Sequence, residues 1–264
     1  MTYTLIELQI SDDIAQITLN HPQRRNPLSV EMIAELTTVF ESLRSKAVAG
    51  IILAANGPAF CSGHDFKDMV DQDFEAMRKL MHACSQLMQL IHTVPQPVIA
   101  QVQGPAYGAG CQLALTCDLV VASEQAIFRT AGGIGGWFCI TPMVAVTRAV
   151  GRKRALEMLL AGDPISADLA SEWGMINRVV PPEQLEEETR DLARKVSQGS
   201  RLLMGIGKQA FYTQIELDEA RAYQYAAELM AATGTMAHPQ ERMRAFVEKR
   251  KPVFENNGVN VRDQ

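Results

Sequence analysis

Apolar residues recur along this 264-residue chain in two rhythms, and the switches between them mark out its elements. Leu5 to Ile10 and Ile14 to Leu19 are short apolar runs flanking the turn-like Ser11-Asp12-Asp13, which predicts a β-hairpin. The period then lengthens to that of a helix. Ser29 reads as an N-cap, Glu31 sits in the first turn, and Met32, Leu36, Val39, Phe40 and Leu43 share one face. Gly50 to Ala54 reads as a buried strand, broken by Asn56-Gly57-Pro58. The cycle repeats: from Phe74, residues Met77, Leu80, Met81, Cys84, Leu87, Met88 and Ile91 line a helical face that Pro95 and Pro97 stop. A strand at Val98 to Val102 follows, Gly104 opens a glycine-bearing turn and a short helix, and Asp118 to Ala122 reads as another buried strand.

Thr141 and Pro142 read as an N-cap and first helical position, Gly151 as the helix end, and Gly162 and Gly174 punctuate two more helices. Val179 and Val180 close a last short strand before Pro181, after which the pattern is helical to Val253. Repeated strand, helix and strand segments imply an α/β architecture. The boundary falls near residue 200, giving a core over 1–200 and a helical C-terminal region over 201–264. The apolar faces of that region need the main body or neighbouring subunits to pack against.

Composition narrows the function classes. A hydrophobic content of 47% supplies one large core. A net charge of −5 lacks the excess of Lys and Arg that neutralising phosphates requires, so nucleic acid is not the expected partner. The five cysteines, at 61, 84, 111, 117 and 139, are odd in number and form no CxxC pair, which suits reduced thiols in a cytoplasmic protein and supports neither a disulfide framework nor a metal site. MTYTLIELQI reads as a strand and not as a targeting peptide, and no run reaches the roughly 18 apolar residues of a membrane span.

Two stretches carry candidate chemistry, AFCSGHD at 59–65 and GPAYGAGCQLA at 104–114. Each places small residues and free backbone amides at the end of a buried strand, where a ligand can approach closely. Gly108-Ala109-Gly110 would begin a helix, so its unpaired N–H groups and the positive end of the dipole suit a carbonyl oxygen acquiring negative charge.

The stretch IAQVQGPAYGAGCQLALTCDL at 99–119 resembles the signature of the enoyl-CoA hydratase/isomerase (crotonase) superfamily. LNHPQRRNPLS, AFCSGHDFKDM, the run from GDPISA to INRVV, and EKRKPVF at 248–254 extend the resemblance over most of the chain. The resemblance implies a crotonase (ClpP-like) spiral of β-β-α units with a helical C-terminal trimerisation region, assembled as a homotrimer or dimer of trimers. It implies an acyl-CoA thioester as the partner, lyase-type naming, a place in fatty acid metabolism, and no separate cofactor, coenzyme A being part of the substrate. The backbone N–H groups of Ser62 and Ala109 would form the oxyanion hole, each worth about 3 to 4 kcal/mol to an enolate. Gly63, His64, Asp65, Gly108 and Trp137 would border the acyl thioester, and Arg24, Arg25, Lys249 and Lys251 would meet the CoA phosphates.

The departure from the family pattern is at the two glutamates of a hydratase, whose positions align with Gln112 and Gly132. Neither an amide nor a glycine exchanges a proton near neutral pH, and each missing carboxylate costs roughly 10²- to 10⁴-fold. The resemblance therefore leaves several outcomes open. Enolate stabilisation without hydration covers decarboxylation, thioester hydrolysis and isomerisation; a catalytically silent acyl-CoA binding or regulatory protein is the second class. True hydratase activity with Glu124, Asp65 or a bound water relay substituting for the glutamates is a third.

His64 reads either as a structural hydrogen-bonding histidine or as a group at the mouth of the oxyanion hole, the GHD tripeptide being similar to that of acyl-CoA decarboxylases of the superfamily. Asp65 reads more simply as a turn cap. The cluster Gly132, Gly133, Gly135 and Gly136 fits a lid or an irregular turn around Trp137 and Phe138.

Overall fold

A computed structural model describes residues 3–253. β1 (Ile6–Ser11) and β2 (Ile14–Leu19) form the expected antiparallel hairpin, Ile6 facing Leu19. α1 (Val30–Arg44) starts where Ser29 Oγ accepts the Met32 N–H at 3.1 Å. β3 (Gly50–Ala55), α2 (Phe74–Thr93), β4 (Val98–Val102), β5 (Ala106–Tyr107), α3 (Ala109–Thr116), β6 (Leu119–Ser123) and β7 (Ile127–Arg129) follow. Then come α4 (Pro142–Ala149), α5 (Arg152–Ala161), β8 (Ile165–Ser166), α6 (Ala167–Glu172), β9 (Arg178–Val180) and α7 (Leu185–Val196). The chain ends in α8 (Arg201–Gln214), α9 (Glu219–Gly234) and α10 (Ala237–Val247).

Six strands form one sheet in the order β1-β2-β3-β4-β6-β9, parallel throughout except for the β1–β2 hairpin. Parallel neighbours need crossover connections, and helices on both faces explain why β3 reads as an unbroken apolar run and β4 as one interrupted only by Gln101. Along β3, Ile51 and Leu53 point into the main core with α1 and α2, while Ile52 and Ala54 point to the other face. There α7 covers them with Leu185, Leu192 and Ala193, spaced to share one helical stripe. Full burial of one such Leu or Ile is worth about 1.5 to 3 kcal/mol.

Polar clamps hold the periphery. The Glu35 carboxylate on α1 accepts the N–H groups of Thr4 at 2.9 Å, Leu5 at 2.9 Å and Ile6 at 3.2 Å, satisfying the free edge where β1 begins. Lys208 carries α8 onto the body: its ammonium, 9% exposed, reaches Asp118 at 2.6 Å and the carbonyls of Ile91 and Gln96 at 2.9 Å. Tyr212 adds an O–H donated to Asp118 at 2.7 Å and a ring stacked on His92.

Several local expectations are corrected. Asp118 precedes β6 rather than opening it, because its carboxylate is taken by Val98 N–H, Lys208 and Tyr212. Thr141 has a helical backbone and makes no capping bond, although Pro142 does occupy the first turn. Gly151 caps the start of α5 instead of the end of α4, which Val150 terminates. A second sheet, β5-β7-β8, was not anticipated, since strands of two or three residues carry too little periodicity to read.

Candidate active site

β3 and β4 are parallel neighbours, so the loops after them, 56–65 and 103–108, leave the sheet at the same end. Ligands of open parallel sheets bind at this end. The loops zip together: Cys61 N–H donates to Pro105 O at 3.2 Å and Tyr107 N–H to Cys61 O at 2.9 Å. A Cβ on Gly110 would lie 2.2 Å from Cys61 O, so only glycine lets α3 approach this closely.

On its other edge the 61–65 segment lies against residues 25–28, and this decides where each amide points. The Ser62 N–H donates to Arg25 O at 3.0 Å, so the amide expected to face the ligand is already paired, on the side of residues 25–28. Gly63 then reverses the chain with φ +95°, a conformation L side chains rarely adopt. Its carbonyl accepts the Leu28 N–H at 2.8 Å. Because a trans peptide holds C=O and N–H in opposite directions, the His64 N–H points away from Leu28, toward the 105–109 edge.

Ala109 supplies the second amide. It is the first residue of α3, and the Gly108 carbonyl accepts the Gln112 N–H at 3.0 Å along the helix, so the Ala109 N–H projects out of the N-terminus. The site of a Cβ on Gly63 is 3.4 Å from Ala109 N, which places the two segments side by side. Neither the His64 N–H nor the Ala109 N–H has an acceptor among the described residues. Gly108 itself is pinned by its N–H to Arg129 O at 2.8 Å.

The same two segments carry polar side-chain atoms without partners. Gln112 is 4% exposed, and its Oε1 makes no hydrogen bond among the described residues. Neither ring nitrogen of His64 makes one either. Burial pushes the His64 pKa down and the Leu28 backbone opposes this only in part, so the ring is neutral at pH 7. Asp65 is buried, which by itself would raise its pKa, but a two-pronged pair with Arg24 and the Lys67 N–H at 3.0 Å hold it below the usual range. Asp65 is thus a turn cap and counter-ion, and Arg24, expected at the CoA phosphates, has its guanidinium committed to it. Burial lifts the Cys61 and Cys111 thiols to about 12, leaving them inert.

Gly132 is closed to any side chain. A Cβ there would sit 2.1 Å from Trp137 O and 2.7 Å from Cys139 Sγ, and the loop is locked by the Trp137 N–H donated to Gly132 O at 2.8 Å. The glycine cluster is therefore a self-bonded turn, with Trp137 48% exposed at its tip. Two surface clefts, of about 630 and 300 Å³, are walled by residues such as Asp168 and Arg178 and by His21, Arg24 and Lys67; neither includes Ala109 or Gln112. No group of three or more metal-ligating side chains occurs among the described residues, and no helix there is long and apolar enough to cross a membrane.

Residues 9–257 match the model of the family described as enoyl-CoA hydratase/isomerase. The chain belongs to the enoyl-CoA hydratase/isomerase family. It is 44% identical over 247 residues to mouse enoyl-CoA hydratase domain-containing protein 3, mitochondrial, covering 92% of this chain and 82% of that one. A crystal structure of a Mycobacterium smegmatis enoyl-CoA hydratase superposes with a TM-score of 0.92 at 42% identity, over 95% of this chain and 98% of that one. Human enoyl coenzyme A hydratase domain-containing protein 3 gives 0.91 at 41% identity, over 95% and 100%. The fold is the crotonase fold, with its helical C-terminal region.

Within this family member the basic residues are unequally available. Arg250 is held by Glu241 at 2.6 Å and Glu248 at 2.6 Å, which ties the chain after α10 in place. Arg25, Lys249 and Lys251 are exposed. Phe254, the last residue of the EKRKPVF motif, lies outside the described residues. Glu124 is exposed and its N–H donates to Val180 O on the edge strand.

Proposed function

We propose that this family member binds an acyl-CoA thioester with the carbonyl oxygen between the N–H groups of His64 and Ala109, and polarises it toward an enolate. The observation that supports this reading is the pair of unpaired amides on adjoining segments, one turned by Gly63 and one at a helix N-terminus. Fixed donors of this kind stabilise developing charge at little reorganisation cost. Hydration is not the reaction. Gln112 can orient a group but not move its proton, and position 132 cannot present one. The His64 ring, on the same residue as one of the two amides, is held toward its neutral form by burial, and it is the group assigned to accept the Cα proton. Asp65 takes up Arg24, so that guanidinium is already neutralised and is not the partner for an ionised acyl carboxylate; a neutral acyl group, isomerised or exchanged at Cα, is the substrate favoured here.

The test uses butyryl-CoA in D₂O, with exchange at Cα followed by mass spectrometry. Exchange in the wild type should fall about 10²- to 10⁴-fold in His64→Ala, while affinity, which rests on the backbone amide, is kept. The thioether analogue lacking the carbonyl oxygen should bind about 5- to 150-fold more weakly, the worth of two hydrogen bonds of about 0.5 to 1.5 kcal/mol. Equal affinity for thioester and thioether sinks the oxyanion reading. Oxygen-dependent binding with no exchange makes the protein a silent acyl-CoA binder. Assembly as a homotrimer or pair of trimers belongs to the same proposal: no side chain of α9 is buried, and Tyr223 and Met230 are 71% and 75% exposed. Analytical ultracentrifugation should find no monomer.

A further inference from the structure

The side chain of Asn26, the second asparagine of the LNHPQRRNPLS motif, has no part in the chemistry described so far, yet it is fully buried at 0% exposure. Asn26 holds φ +52°, a left-handed conformation that asparagine tolerates better than other side chains. Its Oδ1 accepts the His21 N–H at 2.8 Å, and its Nδ2 donates to Asn56 O at 2.9 Å and Ala59 O at 3.0 Å. One amide thus joins the segment after β2 to the segment after β3; the bond to Ala59 O is buried and the other two are partly so.

The consequence lies in the residues on either side of Asn26. Arg25 O receives the Ser62 N–H, and Leu28 brackets His64 through Gly63 O and the Asp65 N–H at 3.3 Å. The 25–28 strip is the backing that holds the Gly63–His64 peptide with its N–H turned away from Leu28, and Asn26 is the residue that fixes that strip to the root of the 59–65 loop. We infer that Asn26 is a positioning residue: through its bonds to Asn56 O and Ala59 O it sets the direction of the His64 N–H and so the polarisation of the bound thioester. It touches no substrate itself. The inference rests on the oxyanion reading given above. A buried side-chain network that is fully satisfied fixes one geometry, whereas a partly satisfied one does not.

The test is isotope-edited infrared spectroscopy of butyryl-CoA labelled with ¹³C at the carbonyl, bound to the full-length protein. Wild type should lower the carbonyl frequency relative to free ligand. Asn26→Gly removes all three bonds but suits the positive φ, so the backbone has no strain to relieve and the chain folds. Asn26→Asp keeps the acceptor toward His21 and loses both donations; it serves as the second variant if the first unfolds. Both should lose most of the downshift while retaining ligand binding. Glu35→Ala, which loosens the distant N-terminal clamp, is the control for general destabilisation and should retain the full downshift. A full downshift in the Asn26 variants overturns the inference alone, as does an equal loss in Glu35→Ala. No downshift in wild type overturns the oxyanion reading, and the inference with it.

Discussion

Gly110→Ala probes the junction on which the two amides depend. The added Cβ would start 2.2 Å from Cys61 O and 2.7 Å from Cys61 C, both backbone atoms that no rotamer change can move. Ordinary contact begins at 3.4 Å, so the 59–65 loop and α3 must separate by about 1 Å. Two effects follow, of different size. Overpacking costs about 1 to 3 kcal/mol of stability, which for a chain of this length lowers the melting temperature by about 2 to 12 °C. The functional loss is larger, since a misplacement of about 1 Å between positioned groups can cost on the order of 10²-fold, or about 2.7 kcal/mol of transition-state stabilisation. The assay pairs a thermal melt with Cα exchange of butyryl-CoA. Gly207→Ala is the control: its Cβ meets nothing within 4 Å on α8, so it should gain about 0.5 to 1 kcal/mol and leave exchange unchanged. If Gly110→Ala behaves like Gly207→Ala, the close approach is not what sets the site.

Three further expectations are independent of that one. Gln112→Glu should not restore hydration of crotonyl-CoA, and its buried carboxyl should have a folded pKa above the unfolded value of about 4.3; the variant is then closest to wild type at acid pH and loses stability as pH rises, and a melting difference that is flat in pH refutes this. Glu35 has the opposite sign: burial raises its pKa, but the bonds from Thr4, Leu5 and Ile6 together bring it below 4.5, so its contribution is present above that value and lost as pH falls through the folded one. Wild type and Glu35→Gln should therefore converge in melting temperature at acid pH, and a constant gap would contradict the clamp. Lys208→Met leaves the Asp118 carboxylate without its buried cation and should cost about 3 to 5 kcal/mol, seen as a melting decrease of about 6 to 20 °C; an unchanged melt removes the ion pair from the account of how α8 is held.

Much of the fold is legible because the strong signals are local. The hairpin around Ser11-Asp12-Asp13, the Ser29 cap and the two-faced apolar run of β3 follow from period and capping chemistry alone. The motifs also point to the two loops that carry the unpaired amides. Which amide is left without an acceptor is not legible, because it depends on a single peptide orientation. Gly63 at φ +95° turns the donor from Ser62 to His64, and the only sequence signal is a glycine between them. The fate of Arg24 was equally hidden, since its partner Asp65 lies forty-one positions away and only the folded loop brings them together. Gly132 reads as a missing carboxylate in the sequence; in the fold it is a position that Trp137 O forbids to any side chain.

The account stands on the thioester oxygen meeting two backbone donors. A crystal structure of the wild-type protein with bound butyryl-CoA measures this directly. The oxygen is expected about 2.7 to 3.1 Å from both His64 N and Ala109 N, with the Ser62 N–H still on Arg25 O. An oxygen bonded to neither amide, or held by Ser62, would contradict it.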